Sequence, residues 1–400
     1  MLQNSDELVS LADRIAFLTG SKEILSKVSY VPVMPAFCEL AADFLDSVAK
    51  LLLADKNNRA YSDVVAWAFW IRKSSVLKEK QRSCYDNRLG RGLAFHVAPS
   101  NVPVNFAVSL TSSLLAGNIS IVRVSSKDFA QVDIICRALN EVLKTEKFQS
   151  LAAYIIIVRY EHDKAINDYL SSLCDVRVVW GGNATVNELR QSPLPVRAVE
   201  MTFPDRYSLA LINSDEYLKQ DPKKIADLFY IDTYFSDQNA CSSPRLIVWT
   251  GKSRAHAKDV FYKAIRERIA GDYQFSPILS VDKLDAFCRL AAVHPQVQKL
   301  SSDNLVVTVK LPELYLDVMD YKAGGGYFFD YDCDDLRDLL PILGKTCQTV
   351  SYLGIDPENL KELVITGGVR GVDRIVPLGH TMEIEFIWDG YFMVEQMSRA

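Results

Sequence analysis

The sequence has no hydrophobic run long enough to cross a membrane. Its longest purely apolar stretches are residues 64–71 and 151–158, and both are far shorter than the roughly 18 residues that a spanning helix requires. The acidic start, MLQNSDE, also lacks the basic segment that opens a secretory signal peptide. We therefore expect neither a membrane span nor a signal peptide, and a cytoplasmic location.

A strong excess of charge of either sign is also missing. The chain has 45 Lys and Arg residues against 50 Asp and Glu residues, a formal net charge of −5. Without a basic surplus, nucleic acids and anionic membrane surfaces are poor main partners, and a small-molecule ligand is favoured. The hydrophobic fraction of 49% and the charged fraction of 24% exclude a disordered chain, so we expect a folded protein of two or three domains.

The eight cysteines form neither a CxxC pair nor a cluster with histidine at metal-ligand spacing. This pattern argues against structural zinc and against a disulfide scaffold, and we predict no metal site. Most of the cysteines are expected to be small buried hydrophobes in a reducing cytosol.

Hydrophobic periodicity divides the chain into helical and α/β parts. From about residue 5 to 72, apolar residues recur at intervals of three and four, which predicts amphipathic helices. From about residue 93 to 200, short β-branched runs alternate with helix-length segments, and a similar series begins at residue 207, which is typical of parallel sheets. We therefore predict an α/β fold with one domain over residues 1–205, helical in its first 85 residues, a second over 206–375, and a tail over 376–400 that returns to the first domain or pairs with a partner subunit.

Cys241 lies in the polar stretch SDQNACSSPR, residues 236–245, between a predicted helix and a predicted strand. Its neighbours Ala240, Ser242 and Ser243 are small, so a substrate could approach the thiol. Catalytic groups of α/β folds are often placed on such connections. The composition of this segment makes Cys241 a candidate nucleophile, with a buried structural thiol as the alternative.

Several other stretches occur in a fixed order around this segment. Upstream come FHVAPSNVP at 95–103, AGNISIVR at 116–123, VWGG at 179–182 and Val-Glu at 199–200; downstream come QTV at 348–350, DRIVPLG at 373–379 and WDG at 388–390. Together with DQNACSSP at 237–244, this order resembles the aldehyde dehydrogenase superfamily. Within it, the chain resembles the acyl-CoA reductase subunit family of the bacterial bioluminescence fatty-acid reductase, from about residue 85 onward.

The resemblance implies a role for three residues in catalysis. Cys241 would accept the acyl group of a thioester, and the side-chain amide of Asn101 would stabilise the oxyanion that forms. The alternative for Asn101 is a turn before Pro103. Glu200 stands where the superfamily has its general base, but the two glycines that usually follow are replaced by Met201 and Thr202, so a structural role stays open.

The resemblance also implies where a cofactor binds. Arg123, Ser126 and Lys127 stand where NAD-dependent relatives have a lysine and a carboxylate, and two cations with a hydroxyl suit the 2′-phosphate of NADPH better than a diol. A solvated strand end is the alternative interpretation. The backbone of Trp180, Gly181 and Gly182 would face the pyrophosphate, although an ordinary tight turn explains these glycines almost as well.

These expectations combine into one hypothesis and two rivals. The hypothesis is an aldehyde-dehydrogenase-like fold with a Rossmann-type cofactor domain, which uses NADPH to reduce a fatty acyl thioester such as acyl-CoA to the aldehyde through an acyl-cysteine. The rivals are an NAD(P)-dependent aldehyde dehydrogenase working oxidatively and a non-reducing acyl-transfer subunit. The family resemblance further implies a homo-oligomer and an acyl-transferring synthetase as a partner, and it leaves the chain length of the acyl group open.

Overall fold

The computed structural model describes residues 11–82, 85–300 and 303–400. These divide into two units: unit 1 comprises Met1–Pro204 together with Ile384–Ala400, and unit 2 comprises Asp205–Glu383. The change of unit after Pro204 lies beside the expected boundary, whereas unit 2 continues beyond residue 375, to Glu383. The last residues of the chain therefore belong to the first unit.

Unit 1 is built on a six-stranded sheet in the order β1-β5-β4-β3-β6-β7. Its strands, with the short β2 that lies outside this sheet, are β1 (Ala16–Thr19), β2 (Leu89–Gly90), β3 (Leu93–Val97), β4 (Ile119–Arg123), β5 (Ile155–Arg159), β6 (Val176–Trp180) and β7 (Val199–Phe203). Strands β3 to β7 are parallel, and β1 is antiparallel to β5. The interior strands β3, β4 and β6 are buried along their whole length, which explains why they are continuous apolar runs rather than alternating ones.

The helices of unit 1 cover the two faces of this sheet. They are α1 (Lys22–Leu25), α2 (Glu39–Ala54), α3 (Ser62–Trp70), α4 (Lys73–Arg82), α5 (Asn105–Ala116), α6 (Ala130–Leu143), α7 (Lys164–Leu173) and α8 (Asn183–Leu189). Helix α5 ends at Gly117, whose φ of 93° is left-handed. A Cβ atom there would lie 2.0 Å from the carbonyl oxygen of Met34, so only glycine fits this helix end.

The expectation of helix throughout the first 72 residues is wrong at one place. Residues 16–19 form β1, although Leu11, Ile15 and Leu18 follow a helical spacing; Leu8, the first residue of that pattern, lies outside the described residues. Strand β5 would otherwise leave its edge unpaired, and β1 supplies hydrogen bonds to that edge. Pairing across the fold therefore overrides the local pattern.

The strand order of unit 1 creates a crevice at one edge of the sheet. From β3 the chain runs to β4 and β5 on one side, and then returns to place β6 and β7 on the other side. In open α/β sheets, ligands bind outside the carboxyl ends of the strands at such a reversal. The segments that follow β3, β4 and β6 all leave from this edge.

Unit 2 is built on a seven-stranded sheet in the order β10-β11-β12-β9-β8-β13-β14. Its strands are β8 (Tyr207–Asn213), β9 (Pro244–Thr250), β10 (Gln298–Lys299), β11 (Val307–Leu311), β12 (Tyr327–Asp332), β13 (Cys347–Leu353) and β14 (Arg374–Pro377). All are parallel except β10. Along β8, Leu209 and Leu211 enter the core on one face of the sheet while Ala210 and Ile212 enter the core on the other, so both faces are covered.

The helices of unit 2 follow its strands and complete these two cores. They are α9 (Ser214–Tyr217), α10 (Pro222–Asp232), α11 (Arg254–Asp272), α12 (Ile278–Val293) and α13 (Pro357–Thr366). Among the described residues, none of the helices in either unit has the length and hydrophobicity that a bilayer span requires.

The tail of the chain closes unit 1. It contains the hairpin of β15 (Ile387–Trp388) and β16 (Tyr391–Phe392), the short helix α14 (Met393–Gln396) and β17 (Ser398–Arg399). Strand β17 pairs with β2, and the guanidinium of Arg88 donates hydrogen bonds to the carbonyl oxygen of Glu395 and the hydroxyl of Ser398, each at 2.8 Å.

Candidate active site

Cys241 lies in unit 2 on the loop of residues 237–243, between a single helical turn at Tyr234–Ser236 and β9. Asp237 and Gln238 open this loop with φ angles of 52° and 56°, a left-handed conformation that is uncommon outside glycine. The loop lies at the amino end of β9, opposite the edge at which parallel sheets usually carry their catalytic groups. Its conformation must therefore be held by specific contacts.

Hydroxyl groups tie the cysteine to the sheet beside it. The carbonyl oxygen of Cys241 accepts a hydrogen bond from Ser208 Oγ at 2.8 Å, and the same Oγ accepts one from the backbone N–H of Thr349 at 3.2 Å. Ser236 and Ser243 face each other across the loop, with 3.3 Å between their Oγ atoms. The backbone of Cys241 is thus fixed from β8 and β13.

Among the described cysteines, burial makes four thiols poor nucleophiles. Burial raises the pKa of four thiols to about 11 or 12: Cys136, Cys174, Cys333 and Cys347. A thiol with such a pKa supplies almost no thiolate at neutral pH. Cys241 is only partly buried, and Cys288 is exposed on α12, so these two are the accessible thiols of unit 2.

A second loop of unit 2 lies against Ser242. Asp232, the last residue of α10, accepts hydrogen bonds from the backbone N–H groups of Gly379 at 2.7 Å and Thr381 at 3.0 Å. Ser242 Oγ donates to the sulfur of Met382 at 3.5 Å. Burial raises the pKa of the Asp232 carboxyl to about 6, although the hydrogen bonds from Gly379 and Thr381 oppose the increase. Asp232 therefore holds the loop that contacts the residue next to Cys241.

Arg123, Ser126 and Lys127 follow one another at the carboxyl end of β4 in unit 1. Ser126 and Lys127 are exposed, whereas Arg123 is only 9% exposed. The guanidinium of Arg123 lies 4.7 Å from the centre of the Tyr160 ring and donates to the Tyr160 carbonyl oxygen at 3.3 Å. Its Nε is buried and has no partner in the described part of the chain. The three side chains supply hydrogen-bond donors of the kind that phosphate groups accept.

Trp180 closes β6, and Gly181 and Gly182 lead directly into α8. The Trp180 ring stacks on Phe203 with 3.6 Å between the ring centres, and its indole N–H donates to Ser109 Oγ at 3.0 Å. The side chain is therefore part of the core, and only the backbone of this turn can face a ligand. The turn lies at the crevice beside β3, the position that suits a dinucleotide.

The side chain of His96, near the same turn, is fully buried in the core of unit 1. Its Nδ1 is 2.7 Å from Ser109 Oγ, the hydroxyl that also binds Trp180. Burial lowers the pKa of His96 to about 3, so the imidazole stays neutral. A permanently neutral ring in the core is not suited to proton transfer at physiological pH.

Asn101 and Glu200 lie at opposite ends of the unit 1 sheet. Asn101 is exposed in the segment that leaves the carboxyl end of β3. Glu200 is the second residue of β7, near the amino end, opposite Arg177 in register. The structure therefore places Asn101, Arg123 and Gly181 at one edge of this sheet and leaves Glu200 away from it. Its assignment as a base stays a prediction.

Two guanidinium groups bind the Glu200 carboxylate. Arg177, which is 2% exposed, contacts Oε1 at 2.5 Å, and Arg190 contacts Oε2 at 2.8 Å. Burial alone would raise the pKa of Glu200, but the hydrogen bonds and charges of Arg190 and Arg177 outweigh it and hold the pKa below its usual value. These ion pairs therefore engage both oxygens of the Glu200 carboxylate.

Sequence reasoning missed the residues that support Cys241. Gln238 and Arg245 flank it within the quoted segment, but no role followed from their spacing. Ser208 and Asp232 gave no signal, because each acts on a loop that is remote in sequence. Within the described residues, no three His, Cys, Asp or Glu side chains come together in a group that could hold a metal ion.

Comparison with known families gives one match over most of the chain. A family model described as acyl-CoA reductase (LuxC) matches residues 7–287. The chain is 22% identical over 316 residues to "Long-chain acyl-protein thioester reductase 2" of Photobacterium leiognathi, covering 74% of this chain and 62% of that protein. It is 23% identical over 373 residues to the long-chain acyl-protein thioester reductase of Vibrio harveyi, covering 89% and 72%. The chain thus spans about three fifths of the length of the Photobacterium relative.

Comparison with solved structures shows the fold. Aldehyde dehydrogenase 21 of Physcomitrella patens superimposes with a TM-score of 0.69 at 11% identity, covering 94% of this chain and 88% of that one. An NAD-dependent benzaldehyde dehydrogenase of Corynebacterium glutamicum gives a TM-score of 0.66 at 11% identity, covering 97% and 94%. The predicted aldehyde-dehydrogenase-like α/β fold is confirmed.

Proposed function

Because the chain belongs to the acyl-CoA reductase (LuxC) family, we propose that it reduces a long-chain acyl thioester to the aldehyde with NADPH, through an acyl group carried on Cys241. The family is described as acting on acyl-CoA and the relatives are named for acyl-protein thioesters. Both donors present the same reacting group, a carbonyl with a sulfur leaving group. The observation that carries the proposal is the position of Cys241, a partly buried thiol on a loop fixed by Ser208.

In the first step, the Cys241 thiolate attacks the carbonyl carbon of the thioester. A new carbon–sulfur bond forms, the bond to the donor sulfur breaks, and the donor leaves as a thiol after taking up a proton. Exchange between two thioesters retains the activation of the acyl group, so this step costs little free energy. The side chains of Ala240 and Ser242, on either side of Cys241, are small.

In the second step, NADPH, when bound, supplies the hydride that converts the acyl-cysteine into a thiohemiacetal on Cys241. Ser126 and Lys127 would hold the 2′-phosphate, and the backbone of Gly181 and Gly182 would bind the pyrophosphate. The oxyanion that hydride addition leaves on the thiohemiacetal then re-forms the carbonyl, which breaks the carbon–sulfur bond, releases the aldehyde and returns Cys241 to its thiolate form. No water molecule is needed in either step.

The environment of Glu200 favours reduction over the oxidative alternative. An oxidative aldehyde dehydrogenase hydrolyses its acyl-enzyme, and hydrolysis requires a base that activates water. A carboxylate bound by Arg177 and Arg190, with a lowered pKa, is a weak base. Reduction of an acyl-cysteine formed from a thioester consumes no water, so it does not need this base.

The experiment is a reductase assay on the purified chain. The chain is mixed with NADPH and either a long-chain acyl-CoA or the same acyl group on a carrier protein, and both NADPH consumption and aldehyde are measured. We expect equal amounts of NADPH consumed and aldehyde formed, loss of both in Cys241→Ala, and retention of both in Cys288→Ala. Absence of aldehyde with both donors would refute the proposed function. If aldehyde forms, the donor that reacts faster is identified as the substrate.

A further inference from the structure

The side chain of Gln238 connects the Cys241 loop to the strands beside it. Gln238 is fully buried, and its Nε2 donates to the carbonyl oxygens of Pro244 at 3.0 Å and Tyr327 at 3.2 Å. Its Oε1 accepts from the N–H groups of Gly326 at 2.7 Å and Tyr327 at 3.0 Å. Both donors and both acceptor positions of the amide are therefore used. Gln238 joins the start of the loop to β9 and β12.

The side-chain amide of Gln238 binds the glycine turn of residues 324–326. A Cβ atom at Gly326, whose φ is 92°, would lie 2.3 Å from the Tyr234 hydroxyl and from the carbonyl oxygen of Leu305. The N–H of Gly325 donates to the carbonyl oxygen of Asp237 at 2.9 Å. A Cβ atom at Gly324 would lie 2.9 Å from that same carbonyl oxygen, so the turn approaches the loop more closely than a residue with a side chain would permit.

Arg245 also joins the Cys241 loop to the segment that leads into the glycine turn. Its guanidinium donates through Nη2 to the carbonyl oxygen of Gln238 and through Nη1 to that of Ala323. Gln238 precedes Cys241 and Arg245 follows it, so this bond closes the loop across its base. The guanidinium also interacts electrostatically with Cys241. Burial lowers the pKa of Arg245 to about 10, which leaves the group protonated at neutral pH.

Other charged groups near the loop are already paired. Asp237 accepts a hydrogen bond from the Tyr273 hydroxyl at 2.7 Å. Lys283 Nζ donates to the carbonyl oxygens of Asn304 and Gly325, and it interacts electrostatically with Asp237. Burial lowers the pKa of Lys283 to about 8, so its charge offsets that of Asp237 only below that pH. Arg245, with a pKa of about 10, keeps its charge to higher pH and interacts with the thiol.

We propose that Arg245 is the positioning residue of Cys241: its guanidinium closes the loop at Gln238 and Ala323, and its positive charge favours the thiolate form of the cysteine. The inference rests on the proposed role of Cys241 as the nucleophile. A nearby cation lowers the pKa of a thiol, and the thiolate is the form that attacks a thioester. Gln238 contributes the geometry of the loop, and Arg245 contributes both geometry and charge.

The test is the pH dependence of alkylation by iodoacetamide, measured at each cysteine by mass spectrometry of the peptides. In the unmodified protein, Cys288, which is exposed, is the internal reference. We expect the alkylation midpoint of Cys241 to lie about one pH unit below that of Cys288. A Cys241 midpoint equal to or above that of Cys288 would overturn the proposal without the need for any variant.

Two variants separate charge from geometry. Arg245→Gln should raise the midpoint of Cys241 by about one pH unit, and Arg245→Lys should restore most of that shift. Gln238→Leu should slow alkylation at every pH and leave the midpoint in place. An unchanged midpoint in folded Arg245→Gln, as judged by circular dichroism, would reduce Arg245 to a structural residue.

This experiment needs neither a thioester nor NADPH. A lowered midpoint in a protein that forms no acyl-cysteine would support the role of Arg245 and refute the proposed function. An ordinary midpoint in an active reductase would do the reverse.

Discussion

Arg177 on β6 lies directly opposite Glu200 on β7, and its guanidinium donates two hydrogen bonds to one oxygen of that carboxylate, at 2.5 Å and 3.0 Å. Because Arg177 is almost completely buried, Glu200 is the group that neutralises a charge inside unit 1. Removal of one partner of such a pair leaves an uncompensated buried charge. Replacement of Glu200 is therefore expected to change the free energy of unfolding, and this effect can be measured apart from any effect on catalysis.

Replacement of Glu200 by Gln should lower the free energy of unfolding by about 2–4 kcal/mol. Arg190→Gln, which removes only the exposed guanidinium, is the matched control and should cost less than about 1 kcal/mol. Since the pKa of Glu200 is lowered in the folded state, its stabilisation is present above the unfolded pKa and is lost as the pH falls through the folded one. Denaturant unfolding at acid and neutral pH measures both effects. A large loss of NADPH-dependent kcat with unchanged stability would instead identify Glu200 as a base.

The Asp232 carboxyl should make the folded state less stable as the pH rises from about 4 to 7. Its folded pKa of about 6 lies above the unfolded value near 3.9, so the protonated carboxyl stabilises the folded state. This stabilisation is complete below the unfolded pKa and is lost as the pH rises through the folded pKa. In urea titrations, the difference in unfolding free energy between the unmodified protein and Asp232→Asn should change by about 2–3 kcal/mol over this range. A constant difference would contradict the prediction.

Cys241 should be the only site of acylation. Incubated with a long-chain acyl thioester and no cofactor, the protein should gain one acyl group by mass spectrometry, because the thiolate exchanges thioesters directly. Cys241→Ala should gain none, and Cys288→Ala, which removes the other accessible thiol of unit 2, should still gain one. Acylation that persists in Cys241→Ala would rule out the assignment.

Asn101→Ala should lower kcat for thioester reduction by about 10²- to 10³-fold, the usual effect of removing one oxyanion donor. Since Asn101 is exposed, we expect the melting temperature of the Asn101→Ala variant to differ little from that of the unmodified protein. Steady-state kinetics and a thermal unfolding curve are the two measurements. An unchanged kcat would return Asn101 to a turn residue before Pro103.

The unmodified protein should favour NADPH over NADH by roughly ten- to hundredfold in kcat/KM, since charge-assisted bonds to the 2′-phosphate exist only for NADPH. Lys127→Ala should reduce this ratio about tenfold by weakening NADPH alone. Lys144→Ala, which removes an exposed lysine at the far end of α6, is the control and should leave the ratio unchanged. Arg123→Ala is less informative, because loss of its contact with Tyr160 should also destabilise unit 1. Equal kcat/KM values for the two cofactors would contradict the assignment.

The sequence by itself determined the two parallel sheets and the candidate nucleophile. Short β-branched runs separated by helix-length segments are local patterns, and they appear as strands β3 to β6 and as β8, β9 and β11 of unit 2. The small polar residues around Cys241 are equally local. The helix end at Gly117 is likewise encoded in a single residue, because only glycine tolerates its backbone conformation.

Only the tertiary structure decided which residues support that nucleophile. Gln238 reaches Tyr327, and Asp232 reaches Gly379, across long separations in the chain. Strand β1 likewise takes its conformation from its pairing with β5, against a helical pattern of its own residues. Local periodicity reports only on neighbours along the chain, whereas these hydrogen bonds join groups that meet because the packed sheets bring them together and leave each buried polar atom in need of a partner.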